Sequence, residues 1–219
     1  MMMPATSAFE PAQPYRGDRE DPPILIVPGL YNSGPDHWQS HWERDDPAVR
    51  RVVQDDWLMP RLDDWLATLD RYIRECESPP VLVAHSLSCS LVAHWAARYL
   101  EERHGFARTL RASRGLGGPC EAPHAVKSAL LVAPADVDSP IHTPDEVRSF
   151  SPIPLVLLPF PSIVVASSDD PFVTPARAAA LAHAWGSRLV TLPNASHINA
   201  DAGYGHWPEG RRLLSDLLL

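Results

Sequence analysis

Ser86 lies in the run V-L-V-A-H-S-L-S-C-S, where two local patterns meet. Val81–Ala84 is a short apolar run rich in β-branched residues and reads as a buried strand. From Leu87 to Tyr99, Leu87, Leu91 and Trp95 recur every four positions, which is helical spacing. A serine at an abrupt strand-to-helix junction, with small Ala84 and Ser88 two residues to either side, has the outline of a nucleophile elbow. The flanking residues must be small because the strand and helix backbones approach closely there. The turn pushes the hydroxyl out at the carboxyl end of a sheet, beside a helix N-terminus whose free N–H groups can meet a developing oxyanion. Neither glycine of the usual G-x-S-x-G form is present, and the competing reading is that Ser86 merely caps the helix.

A serine hydroxyl is a poor nucleophile at neutral pH. It needs a base, and the base needs an orienting group. Ser162–Ala166 is a second apolar run, followed by S-S-D-D-P-F-V, so Asp169 and Asp170 emerge at the carboxyl end of a strand. Asp170 is the expected acid, because Pro171 biases it to an extended conformation and D-P-F-V resembles the acid loop of many hydrolases. Asp169 is its close competitor. A last strand, Arg188–Leu192, leads into P-N-A-S-H-I-N, which places His197 in a loop as the base, with His206 as a rival. The chain order Ser86, Asp170, His197 is that of α/β-hydrolases, and differs from the chymotrypsin and subtilisin orders.

Acyl transfer also needs two N–H donors aimed at the oxyanion. One is expected from Leu87, the residue after the nucleophile. The other is expected from Leu30, in the exit P-G-L-Y of the first strand, where Gly29 allows a tight turn. Tyr31, Trp57 and Trp207 are candidates for the substrate pocket, against the alternative that the tryptophans pack in the core. His37 and His41 fall four apart on a helix, a spacing that can bind zinc. They lack the H-E-x-x-H pattern and a further ligand, so no metal is expected. Cys89, one turn into the helix after Ser86, is a poor alternative nucleophile and reads as a structural thiol.

The elements that must hold these residues follow from the periodicity. Strands are expected at 24–27, 51–53, 81–84, 127–133, 162–166 and 188–192, and helices at 36–44, 63–76, 87–103, 175–185 and 208–218. Thr174 and Pro175 supply a cap and a first helical residue. Strands alternating with helices imply an α/β fold of three layers, with a mostly parallel sheet of about six strands covered on both faces. Right-handed crossovers gather the loop ends at one edge of such a sheet, where ligands bind. Two stretches interrupt the alternation. Residues 103–125 read as a surface insertion, and their glycine cluster does not follow a strand. Residues 134–161 are proline-rich and read as a small cap, with Phe150, Ile153, Leu155 and Leu158 as pocket walls.

The 219 residues fit one domain, expected at 23–219 after a flexible leader at 1–22. A net charge of −8 without a basic block argues against a nucleic-acid partner. Three cysteines (Cys76, Cys89 and Cys120) show no paired framework, which suits a reducing compartment. No segment is apolar for long enough to span a membrane, and the N-terminal stretch has no hydrophobic signal core, so a cytoplasmic location is expected.

Several pieces together carry a resemblance: I-L-I-V-P-G-L-Y-N-S-G-P-D-H-W, D-W-L-M-P-R-L-D-D-W, V-A-H-S-L-S, V-V-A-S-S-D-D-P-F-V and S-H-I-N-A-D-A-G-Y-G-H-W-P-E-G. From about Pro23 to Leu219 the chain resembles the retinoblastoma-binding-protein-9 / YdeN-like family of small serine hydrolases. The resemblance implies an α/β-hydrolase fold and a Ser-Asp-His triad that carries onto Ser86, Asp170 and His197. Ser88 stands where relatives commonly have glycine. The function expected is hydrolysis of an ester or related acyl bond in a small molecule, through an acyl-enzyme and without a cofactor. The alternative is a hydrolase-fold module whose main role is to bind a protein partner.

Overall fold

Residues 22–112 and 125–218 are described by a computed structural model. In chain order they form β1 (Ile24–Val27), α1 (Trp38–Asp45), β2 (Val49–Arg51), α2 (Leu62–Arg74), β3 (Val81–His85), α3 (Leu87–Ala112), β4 (Ser128–Val132), a short 3-10 helix (Asp145–Phe150), β5 (Ser162–Ser167), α4 (Pro175–Trp185), β6 (Arg188–Leu192) and α5 (Pro208–Leu218). The six strands hydrogen-bond in the order β2-β1-β3-β4-β5-β6, every pair parallel.

Successive side chains of a strand point to opposite faces, so a sheet covered on both sides needs apolar residues at every position. β1, β3 and β4 meet that requirement, being buried throughout. Leu25, Val27, Leu82, Ala84 and Leu131 face a core completed by Trp65 and Leu69 of α2, Leu91 and Trp95 of α3, and Leu181 and Trp185 of α4. Ile24, Ile26, Val81, Val83 and Val132 face the other core, completed by Trp38 and Trp42 of α1 and Leu214 of α5. Each buried large side chain contributes about 1.5–3 kcal/mol relative to exposure, and the two cores fix the sheet between its helical layers. Among the described residues no helix is long and apolar enough to cross a membrane.

The structure departs from the sequence expectations in the bounds of two elements. β2 spans Val49–Arg51 rather than 51–53: Ile24 pairs with Val49, and only the Val52 N–H still donates to Ile26, at 2.9 Å. α3 continues to Ala112, so the first residues expected in a surface insertion are helical. Residues 1–21 of the expected leader and 113–124 of the expected insertion, Cys120 included, lie outside the described residues. The cap contains the 3-10 helix, but it is built around Arg148. This guanidinium donates to the carbonyls of Val137, Ser139 and Thr143 and to the Thr143 hydroxyl.

Candidate active site

The junction between β3 and α3 places Ser86 at φ +57°, in the left-handed region where a residue with a Cβ is strained. A residue held there costs about 1–3 kcal/mol and persists only where its surroundings over-determine it. Here the Ser86 N–H donates to Val132 of β4 at 2.9 Å, extending the parallel ladder by one residue, and the Ser86 carbonyl accepts from Cys89 at 3.0 Å. The loop after β1 presses against this turn. A Cβ on Gly29 would lie 2.9 Å from both the His85 carbonyl and the Ser86 Cβ, so glycine is required by close approach. Ser88 is buried and donates its hydroxyl to the Pro28 carbonyl at 2.6 Å. The serine in the usual glycine position therefore fits, and it stitches the elbow helix to the loop after β1.

β5 and β6 deliver the partners to the same sheet edge. His197 Nε2 lies 2.9 Å from Ser86 Oγ, and its Nδ1 lies 3.0 Å from each carboxylate oxygen of Asp170. The Asp170 side chain is fully buried, and one of its oxygens also accepts the Phe172 N–H at 2.9 Å. Asp169 points elsewhere. Its carboxylate accepts the Ser167 hydroxyl and the Ser196 N–H at 2.6 and 2.8 Å, and the Ser167 bond first and then the Ser196 bond hold it below the usual carboxylate range. His206 lies apart from this group, on the surface beside Asp45 and His41.

The loop carrying His197 is fastened from several elements. Ser196 and Ile198 both adopt positive φ, at +47° and +48°, which turns the ring between them toward Ser86. The Trp38 indole N–H donates to the Ile198 carbonyl at 2.8 Å, and the Ser167 hydroxyl oxygen accepts the Ala195 N–H at 2.9 Å. His85 Nε2 lies 3.0 Å from the His197 carbonyl. A carbonyl only accepts, so that nitrogen carries the proton. Burial holds His85 well below the ordinary histidine range and so neutral. Next to it, His37 caps α1 by accepting the Gln39 N–H on Nδ1 at 3.2 Å. Burial, and then the nearby Arg51 cation, lower its pKa from 6.5 to about 3. His85, Trp38 and Ser167 were not expected as site residues, and Asp169 was expected only as a rival acid. None of the first three carries a local signal, because each meets the His197 loop from far away in the chain.

A cavity of about 230 Å³ opens over Ser86. Leu30 and Leu87 line it, and among the described residues neither backbone N–H is engaged by an acceptor. Tyr31 lines it too, at the rim. The cap contributes Val137, Thr143, Pro144 and Val147. The expected walls Phe150, Ile153 and Leu158 are instead buried in the core, and Leu155 is exposed. Neither Trp57 nor Trp207 is in the cavity wall. The Trp57 ring packs edge-on against Trp65, and its carbonyl accepts the Tyr31 N–H at 3.0 Å. Trp207 is buried beside Trp38 and Tyr204 in the core under α1 and α5. Aromatic bulk at these two positions is used for packing. Cys89 is fully buried with its thiol against the carbonyls of Val132 and Ala84, and burial pushes its pKa up, which is the opposite of activation. His37 and His41 do not converge as a ligand pair: His37 Nδ1 caps the helix, while His41 Nδ1 faces Arg44 at 2.8 Å.

Comparison with known proteins agrees with this architecture. A family model described as serine hydrolase matches residues 24–114 and 104–216. A solved YdeN-like hydrolase from Pectobacterium atrosepticum is 31% identical, with 89% of each chain covered and a TM-score of 0.70. The ydeN gene product of Bacillus subtilis is 21% identical over 89% of this chain and 97% of its own, with a TM-score of 0.61. Est1E from Butyrivibrio proteoclasticus shares the fold at 14% identity and a TM-score of 0.56, covering 92% of this chain and 87% of its own. No curated protein sequence matches significantly. With the model covering most of its length and the Pectobacterium chain so similar, this protein belongs to the YdeN-like serine hydrolases of the α/β-hydrolase superfamily.

Proposed function

We propose that the protein hydrolyses an ester or related acyl bond of a small molecule through an acyl-enzyme on Ser86. The observation that carries this reading is one continuous line of hydrogen bonds: Ser86 Oγ to His197 Nε2, then His197 Nδ1 to both oxygens of a buried Asp170. In the proposed reaction His197 takes the hydroxyl proton as Ser86 Oγ bonds to the carbonyl carbon. Asp170 fixes the proton on Nδ1 and stabilises the imidazolium that forms. The Leu30 and Leu87 N–H groups hold the oxyanion. Collapse of the tetrahedral intermediate breaks the bond to the leaving group, which departs with the proton from Nε2. Water, deprotonated by His197, then attacks the acyl carbon and restores Ser86. The chain's own groups handle every proton and charge in this scheme, which requires no cofactor.

The test is to treat the folded protein and its Ser86→Ala variant with a fluorophosphonate probe and to map the modified peptide. Stoichiometric labelling at Ser86, absent from a Ser86→Ala variant of unchanged circular dichroism, is expected. Ester hydrolysis that survives in that variant, or a well-folded wild type that takes no label, would overturn the mechanism.

A further inference from the structure

Three side chains that line the Ser86 cavity carry N–H groups that meet no acceptor among the described residues. His37 Nδ1 is spent on the Gln39 N–H, so the proton sits on Nε2, and that nitrogen is buried with no partner among the described residues. Asn32 Oδ1 accepts the Ser33 N–H and the Arg51 guanidinium, both at 2.7 Å. Asn199 Oδ1 accepts the Ala202 N–H at 3.1 Å. In each case the acceptor atom is consumed by a neighbouring donor. That fixes the group's orientation and leaves Nε2–H or the Nδ2 amide protons as the available atoms. All three residues line the cavity, whereas Val137, Pro144, Val147 and Phe172 supply apolar wall. Among the described residues no lysine, arginine or carboxylate lines it.

Of the three, only His37 Nε2 is a buried donor without a partner, a state that costs about 1–3 kcal/mol until an acceptor oxygen arrives. We propose that His37, Asn32 and Asn199 form an oxygen-recognition subsite, so that the substrate carries a neutral carbonyl, ether or hydroxyl oxygen together with an apolar group. His37 suits this task better than proton transfer, because burial keeps it a neutral donor across the working range of pH. The inference rests on the acyl-hydrolase reading and assigns it a substrate class.

Paired substrates test it. One pair places oxygen in the acyl chain, 4-nitrophenyl pentanoate against 4-nitrophenyl 4-oxopentanoate. The other places it in the leaving group, butyl butanoate against 2,3-dihydroxypropyl butanoate. The readout is the kcat/KM ratio within a pair, compared between wild type and variants, which cancels intrinsic ester reactivity. His37→Asn retains a good helix cap but withdraws the ring donor. Asn199→Asp keeps the Oδ1 acceptor for Ala202 and replaces the free amide with an oxygen. The wild type is expected to favour the oxygenated member of one pair, and each variant to lower that ratio about three- to tenfold, the scale of one hydrogen bond. The pair that responds identifies the side of the scissile bond. Ratios equal in wild type and both variants, with hydrolysis intact, overturn this inference alone. Absence of hydrolysis together with absence of fluorophosphonate labelling overturns the acyl-hydrolase reading itself. If His37→Asn fails to fold, Asn199→Asp decides.

Discussion

Asp169 and Asp170 are adjacent carboxylates with different work. Asp170 is buried and gives both oxygens to the His197 ring, whereas Asp169 anchors the backbone of the loop that carries it. Asp170→Asn is therefore expected to lower kcat about 10⁴-fold, as loss of the orienting carboxylate does in a serine protease. Asp169→Asn keeps an acceptor for the Ser196 N–H and is expected to lose less than about tenfold, about one hydrogen bond. Steady-state kinetics on one activated ester compare the two, and the reverse order would exchange their roles. That Asp170 rather than Asp169 meets the His197 ring was legible because Pro171 constrains the residue before it. The support from His85 was not: its bond to the His197 carbonyl joins residues 112 apart in the chain, and no local pattern announces such a pairing. The aromatic candidates Trp57 and Trp207 failed for a related reason, since a tryptophan reads the same in sequence whether it lines a cavity or packs against another ring.

At the scale of elements, the boundaries that sequence located best are those with chemical punctuation. α4 begins at Pro175 after Thr174, whose hydroxyl accepts the Arg177 N–H, and ends at Gly186 in the left-handed conformation. β2 has no such marks, and only its pairing with β1 sets its register. The elbow is the element where the residue pattern departs from the common form, because Ser88 replaces glycine. Its hydroxyl gives the buried Pro28 carbonyl a partner. Ser88→Ala is expected to leave that carbonyl unsatisfied and to cost about 1–3 kcal/mol, read as a lower urea midpoint at an unchanged m-value. A midpoint unchanged by the substitution would show that the bond contributes nothing to holding β1 against the elbow.

At the scale of the molecule, two buried neutral histidines tie stability to pH. Burial, with Arg51 adding to it, lowers His37 from 6.5 to about 3, and burial lowers His85 as well. Between the ordinary and the lowered value, the unfolded chain binds a proton that the folded chain excludes, so stability rises with pH there. The contribution is complete above about pH 6.5 and is lost as pH falls below it, at up to about 1.4 kcal/mol per pH unit for each histidine. Urea unfolding at pH 7.5 and 5 should show the decline, and His37→Asn should make it shallower. A slope identical in the variant would remove His37 from the account.

The Ser86–His197 bond spans 111 residues, and Asp170 lies between them in the chain. During biosynthesis the elbow is therefore made well before its base. A nascent chain that has not yet extended past β6 holds a serine hydroxyl with ordinary alcohol reactivity. On the proposed mechanism the base arrives only once the loop after β6 is made and β6 docks beside β5, so unfinished copies carry the serine without the hazard of an activated one.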